Sequence, residues 1–500
     1  MTTATFELMK TPAKEFALKE HGHFIGGEWC TSKEKTFEVY DPACARAFTK
    51  VSLAGKSEVD SAVLAARTAF ESPEWAHMQS SSRAQIMWRI AELIEQHGDI
   101  LAELESLDNG KPLSIARIAD VNLAAAHFRY YAGWAGKFSG RVVDMSVPFQ
   151  KKNLFHAYTE REAVGVVAQI IPWNFPLLMA AWKLAPALAA GCCVILKPAE
   201  QTPLSASYLA TLLNQAGLPN GVVNIVNGDG TTGALLSAHN GVDKVAFTGS
   251  TEVGKLILQA AQSNLKKVSL ELGGKSPNII FDDCDLEQAI KGAAHGIFFN
   301  HGQCCCAGSR LFIHEKIYDR ALEGISKIAQ SIRLGPGMHK DTMMGPLVSK
   351  EQHERVTDYI KAGVAAGAQA VGGESNHDQG YFVAPTVLSK THKDMSVVKE
   401  EIFGPVVCAS PFGSEEEVIH EANDSIYGLA AGLWTKDISK AHQVSKKLRT
   451  GTVWVNCYNV FDANLPFGGY KQSGWGREMG AEALELYSET KSICIDLGKR

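Results

Sequence analysis

The feature that most constrains this chain is an alternation between residues 163 and 272, where short, apolar, β-branched runs take turns with helical patterns. VGVVAQII at 164–171 predicts a buried strand. The stretch from Pro176 to Gly191 predicts a helix, opened by its proline and closed by its glycine. CCVILK predicts a second strand, followed by a helix ending at Gly217, and VVNIV predicts a third strand with a glycine-rich turn and a short helix. KVAFTG predicts a fourth strand, followed by the helix TEVGKLILQAAQSN, and KKVSLEL predicts a fifth. Short strands separated by helices require crossover connections, which are right-handed and build a parallel sheet. Strands this continuously apolar fit a sheet covered on both faces.

A second alternating region runs from about 276 to 460, with SPNIIFDD, RLFIHEKI, AQAVGG, FVAPTVL, VVCASPF and GTVWVN as its strands. Residues 57–138 are mostly amphipathic helix, while FIGGEW and TFEVYDPA near the N-terminus predict strands around turns. The tail SICIDLG is β-prone and pairs either within its own domain or with another subunit.

Composition removes several classes. With 45% hydrophobic and 21% charged residues among 500, the chain is neither disordered, collagenous nor coiled coil. Its 49 basic and 54 acidic residues give a net charge of −5 and no strongly basic region, so nucleic acid is not the expected partner. The 11 cysteines form no disulfide framework and none has zinc-site spacing, which predicts a reducing, cytoplasmic setting and no metal. The N-terminus has no basic segment leading into an apolar one, so no secretory signal is expected. Residues 163–182 carry no charge and are long enough to span a bilayer. Gln169, Pro172, Asn174 and Pro176 interrupt them, so strand, turn and helix are expected instead of a membrane span.

Five segments carry possible chemistry. Gly228–Gly233 matches G-x-G-x-x-G after the third strand, but no acidic residue ends the next strand, and a plain βα turn explains it as well. Gly249-Ser250 opens the helix after the fourth strand. That helix start either caps itself or offers free N–H groups to a pyrophosphate. Lys197 and Glu200 end the second strand, at the edge where open α/β sheets bind ligands, although a solvated turn would look the same. Glu271, followed by Gly273-Gly274, ends the fifth strand and is a candidate base or an ion-paired carboxylate. Cys304-Cys305-Cys306 offer thiols, the best protein nucleophiles near neutral pH, or three inert core residues. His301 is expected to be structural.

Together with Pro172-Trp173-Asn174-Phe175-Pro176, Glu401-Ile402-Phe403-Gly404-Pro405 and Pro466-Phe467-Gly468-Gly469-Tyr470-Lys471, these segments resemble the aldehyde dehydrogenase superfamily over residues 20–500. The likeness is strongest to its non-phosphorylating, NAD-linked members. It implies an α/β fold with a Rossmann-like parallel-sheet cofactor domain (1–139 and 161–272) and a second α/β catalytic domain (273–473). A small β oligomerisation element (140–160 and 474–500) would serve a homodimer or homotetramer. Cys305 would be the nucleophile, Asn174 an oxyanion donor with the Cys305 N–H, and Glu271 the general base. Ile171, Trp173, Lys197, Glu200, Gly230, Gly249, Ser250, Glu401 and Phe403 would bind NAD. Lys197 and Glu200 would hold the adenosine ribose, Ser250 the pyrophosphate and Glu401 the nicotinamide ribose. In this scheme Gly230 lies near the adenine, so Gly228–Gly233 is not the pyrophosphate site. Phe175, Met179, Trp182, Phe299, Phe461 and Phe467 would line the aldehyde tunnel. The expected substrate is an apolar, aromatic aldehyde such as phenylacetaldehyde. Betaine aldehyde in an aromatic cage is the alternative, and Asp462 and Asn464 are of unknown direction. Glu271 argues against delivery of the acyl group to coenzyme A. The catalytic residues argue against a non-enzymatic binding protein that has merely kept the fold.

Overall fold

The computed structural model describes residues 5–32, 35–373 and 377–499. The first alternating region forms the expected sheet. Its five parallel strands lie in the order Val223–Ile225, Cys193–Lys197, Val166–Ile170, Lys244–Thr248, Lys267–Glu271. In chain order this is 3-2-1-4-5, so the direction of winding reverses between Val166–Ile170 and Lys244–Thr248. All five residues of each of the three central strands are buried, as helices on both faces require. The segment 163–182 resolves into the strand Val166–Ile170, a turn, and the buried helix Pro176–Ala190. Among the described residues no helix is long and apolar enough to cross a membrane.

FIGGEW becomes an antiparallel hairpin of His23–Ile25 and Glu28–Cys30 that extends this sheet beside Val223–Ile225. At the opposite edge Gly474–Trp475 pairs antiparallel with Lys267–Glu271, setting Gly474 opposite Glu271. The second sheet runs Gln369–Gly372, Thr386–Ser389, Val406–Phe412, Arg310–His314, Pro277–Ile280, Ala430–Trp434, Thr452–Val455, parallel except at its first strand. Nothing in the alternation announces Ala430–Trp434, because Ala-Ala-Gly carries no β-branched side chain. The strand exists because it is buried between two β-rich neighbours.

The C-terminal tail is the long strand Ser488–Lys499. It pairs antiparallel with Asn153–Ala163 of its own chain, and Val142–Val143 adds a third strand.

Candidate active site

Ligands enter open α/β sheets outside the carboxyl ends of strands, where the winding reverses. Here that point opens into a cavity of about 1030 Å³. The loop after Val166–Ile170 contributes Trp173, Asn174 and Phe175, and the turn after Lys244–Thr248 contributes Gly249 and Ser250. Glu271 comes from the end of the fifth strand, Cys305 from the loop after the helix Leu286–Phe298, and Glu401 and Phe403 from the second sheet's side.

The chain before Cys305 is tightly folded. Asn300, His301 and Gly302 have φ of 48°, 61° and 68°, three consecutive left-handed residues. At Gly302 a Cβ would lie 2.0 Å from the carbonyl oxygen of Gly404, so this glycine lets the Cys305 loop pass the loop carrying Glu401 and Phe403. His301 is buried and its Nε2 accepts from the Gly345 N–H at 3.1 Å; burial pushes its pKa down to about 3. It is a structural histidine, as expected. Gly274 works in the same way on the other side, where a Cβ would meet the Cys305 carbonyl oxygen at 2.5 Å.

Cys305 lies between Cys304 and Cys306, whose sulfurs are 3.4 Å apart. The neighbouring thiols, then burial and the Glu271 carboxyl, hold the Cys305 thiol well above its ordinary value. Glu271 is itself buried without an ion-pair partner among the described residues, and burial pushes it up to about 8; Lys183 and the Cys305 thiol pull the other way with smaller effect. Lys275, four residues further along the chain, is also buried, and its Nζ makes no hydrogen bond among the described residues. Asn174 donates from Nδ2 to the Gln303 carbonyl at 3.1 Å, which holds its amide against the loop that ends in Cys305.

Towards one end the cavity is polar. Ser250 caps the helix Thr251–Ala261, accepting from the Val253 N–H at 3.2 Å, and Thr248 through Glu252 face the cavity. A helix start of this kind suits an anion. Glu401 accepts the Gly274 N–H at 2.9 Å, and burial raises its carboxyl to about 7. The Trp173 and Phe403 rings meet edge-on, 5.2 Å between centres. Lys197 is buried and donates to the Pro198 and Gly228 carbonyls at 2.8 and 2.6 Å, with Glu200 3.7 Å away and half exposed. Lys197, Glu200, Gly230 and Ile171 stand outside the cavity wall: the first three lie along the strand-end edge, and Ile171 is a buried strand extension bonded to the Lys197 carbonyl.

The other end is apolar. All six expected tunnel residues line it. Phe461, Phe467 and Trp182 form a cluster with ring centres 5.4–6.1 Å apart, and Phe175 stacks towards Phe299 at 6.1 Å. Asp462 accepts from both the backbone and side-chain nitrogens of Asn464 at 2.8 Å, and neither residue lines the cavity.

Residues 29–493 match the aldehyde dehydrogenase family. The chain belongs to that family. It is 49% identical over 489 residues to a phenylacetaldehyde dehydrogenase of Pseudomonas fluorescens, covering 97% of each chain. The NAD+ complex of an aldehyde dehydrogenase from Bacillus cereus superposes with a TM-score of 0.95 at 51% identity, covering 98% of this chain and 99% of that one. A betaine aldehyde dehydrogenase from Staphylococcus aureus, in complex with NAD+, superposes at 0.94 with 41% identity over 100% and 99% of the two chains.

This aldehyde dehydrogenase also lines its cavity with residues that the motifs leave out. Ile115, Ile118, Ala119 and Leu123 come from the helical region before the first sheet, where Ala116–Asn122 forms a π-helical turn. Such turns gather at functional sites, but no sequence pattern marks one. His295 projects from the last turn of Leu286–Phe298, 5.1 Å from the Phe299 ring, and Asn459 adds a second polar wall residue. Helical periodicity from Phe299 backwards would have pointed to His295, four residues earlier on the same face. Gln352 and Arg355, at the polar end, donate to the Phe403 and Glu401 carbonyls at 2.7 Å. Among the described residues no cluster of His, Cys, Asp or Glu could hold a metal.

Proposed function

We propose that this dehydrogenase oxidises apolar, aromatic aldehydes such as phenylacetaldehyde to their carboxylic acids with NAD. One observation carries the reading: Cys305, Glu271 and Asn174 converge where an aromatic tunnel meets a polar, helix-capped cleft. The cleft fits a dinucleotide. The helix start at Ser250 suits the pyrophosphate, Glu401 suits the nicotinamide ribose, and Lys197 with Glu200 suits the adenosine ribose. The Glu200 carboxylate accepts from a 2′-hydroxyl and repels a 2′-phosphate, which favours NAD over NADP.

In the reaction, Cys305 Sγ gives up its proton to solvent and attacks the aldehyde carbon as thiolate. The carbonyl oxygen becomes an oxyanion, which takes hydrogen bonds from Asn174 Nδ2 and the Cys305 N–H. Each preorganised donor contributes about 3 kcal/mol of transition-state stabilisation. NAD, when bound, supplies the acceptor for the hydride. As the oxyanion collapses, the carbon becomes a thioester on Cys305. Glu271 then takes a proton from water, the hydroxide adds to the thioester, and the adduct collapses to release the acid as the Cys305 sulfur takes back the proton held by Glu271. A carboxyl with a pKa near 8 is a stronger base than an exposed one, and so fits this step. Because it directs water to the thioester, the product is the free acid, not an acyl-coenzyme A.

Three further readings accompany this one. The tunnel residues Phe175, Met179, Trp182, Phe299, Phe461 and Phe467 include no carboxylate, which supports a neutral ring over a quaternary ammonium. The three-stranded sheet and the turn between its first two strands expose Val142, Val143, Phe149 and Leu497, which supports use of this element in self-association as a homodimer or homotetramer. Eleven cysteines, all unpaired, support a reducing, cytoplasmic setting.

The test is NADH formation with phenylacetaldehyde, benzaldehyde, hexanal and betaine aldehyde, compared by kcat/KM. Phenylacetaldehyde is expected to lead hexanal by about tenfold, or about 1.4 kcal/mol. A lead for betaine aldehyde would mean that the tunnel is a cation cage. Cys305→Ala is expected to bind NAD and form no product, and turnover retained in that variant would remove the nucleophile assignment.

A further inference from the structure

The loop that presents Asn174 is gripped from beneath by one short turn. Asn109 donates from Nδ2 to the Trp173 carbonyl at 2.8 Å, and Lys111 donates from Nζ to the Asn174 carbonyl at 2.9 Å. Asn300 donates to the same Asn174 oxygen at 3.0 Å. Lys111 is wholly buried, and its other close partner is Asp120 at 2.7 Å, with Glu105 3.9 Å away. The ammonium also stands 4.4 Å from the centre of the Phe175 ring. Glu105 accepts from the Leu177 N–H, in the first turn of the helix that follows, and from Ser205 Oγ. Every residue from Trp173 to Leu177 except Pro176 is thus touched by a side chain of this one cluster.

Packing alone does not call for a lysine here. Burying an ammonium with carboxylates is costly, and apolar side chains of similar size commonly serve as well or better. A hydrocarbon cannot supply a directed bond to a carbonyl oxygen. The Asn174 carbonyl fixes the peptide plane from which its side chain leaves, and that side chain ends beside the Cys305 loop. A drift of about 1 Å in such a donor can cost on the order of 10²-fold in rate.

We propose that Lys111 is a positioning residue for the reaction, holding the Asn174 backbone so that its amide meets the oxyanion formed on Cys305. The inference rests on the oxyanion role of Asn174 proposed above. It assigns work to a residue well outside the motifs that define the site, and it ties that residue through Asp120 to the π-helical turn at the tunnel wall.

The experiment uses full-length Lys111→Met and Lys111→Met/Asp120→Asn, the second of which leaves no unpaired buried carboxylate at 120. Steady-state kinetics, NAD binding by fluorescence and the rate of Cys305 alkylation by iodoacetamide, read by peptide mapping, are measured together. Turnover is expected to fall at least tenfold in both variants, with NAD binding and alkylation within twofold of wild type. Turnover within twofold of wild type in the double variant would overturn the proposal. A fall in turnover matched by equal falls in alkylation and NAD binding would overturn it too, since it would mark a role in the fold alone. Asn174→Ala, run in parallel, separates the two layers. If it keeps full turnover, the oxyanion assignment fails first. If it is inactive while the double variant is active, only the role of Lys111 fails.

Discussion

The two ends of the cavity are made of different material. The polar end is largely backbone: strand ends, the start of the helix Thr251–Ala261, and the Gly273-Gly274 crossing, where a Cβ on Gly273 would sit 2.2 Å from a Glu401 carboxylate oxygen. The apolar end is largely side chain, projected from helices and loops by Phe175, Met179, Trp182, Phe299, Phe461 and Phe467. Backbone donors and close glycine crossings have few substitutes, whereas an aromatic wall can be rebuilt by exchanging one ring for another. The lesson is that cofactor use should resist mutation and aldehyde choice should yield to it, with the reacting groups at the seam the most sensitive of all.

The seam is where the largest effect is expected. Glu271→Gln should lower kcat by about 10²- to 10⁴-fold. One equivalent of NADH per active site should still appear in a burst, because the variant stops at the thioester; a variant without a burst would mean that Glu271 also serves the first step. The pH dependence has a definite sign. With its carboxyl raised to about 8, Glu271 gains basic form as pH rises through that value, so wild-type turnover should climb there and the variant should lack that limb. Stability follows the opposite course. The fold favours the protonated carboxyl, so this contribution is complete below the ordinary value of 4.5 and is lost as pH rises through about 8. Glutamine stays neutral, so the Tm of Glu271→Gln should gain on wild type across that window. A constant Tm difference from pH 5 to 9 would mean that the carboxyl is not raised.

Glu200→Ser tests the polar end. Removing the carboxylate should raise kcat/KM for NADP relative to NAD by about tenfold, on the order of 1.4 kcal/mol. The rate at saturating NAD should change little, because Glu200 lies outside the cavity that holds Cys305. An unchanged cofactor ratio would move the ribose contact elsewhere.

How far the sequence alone reaches follows from the same contrast. The five-strand alternation is legible because each strand is a continuous apolar run with turn residues at both ends. The polar end is legible because its residues sit in short contiguous motifs, Ile171–Pro176 and Glu271–Gly274 among them. Ala430–Trp434 escapes because its strand character comes from neighbours and not from its own side chains. Ile118, Leu123, His295 and Lys111 escape because tertiary packing alone brings them to the site from helices whose pattern records only burial. The G-x-G-x-x-G match at Gly228–Gly233 is the converse case. Its helix starts at Gly230 with Asp229 as its cap, a self-satisfied turn outside the cavity wall.

The smallest effect is expected at the apolar end, and it decides whether that end is as replaceable as its construction implies. Phe461 is only partly buried and packs against Trp454, Phe467 and Trp182 at 5.5, 5.4 and 6.1 Å between ring centres. Phe461→Ala therefore removes one ring from a wall that keeps four others, Phe175, Trp182, Phe299 and Phe467. An aromatic pair adds about 0.5–1.5 kcal/mol beyond the area it buries, which corresponds to roughly a 2- to 12-fold loss of kcat/KM for phenylacetaldehyde. Hexanal, which has no ring to lose a partner, should fall less, and an aldehyde bulkier than phenylacetaldehyde should gain from the space. Equal losses for all three would mean that Phe461 holds the shape of the site without contacting the substrate. The aldehyde end would then be as rigid as the cofactor end.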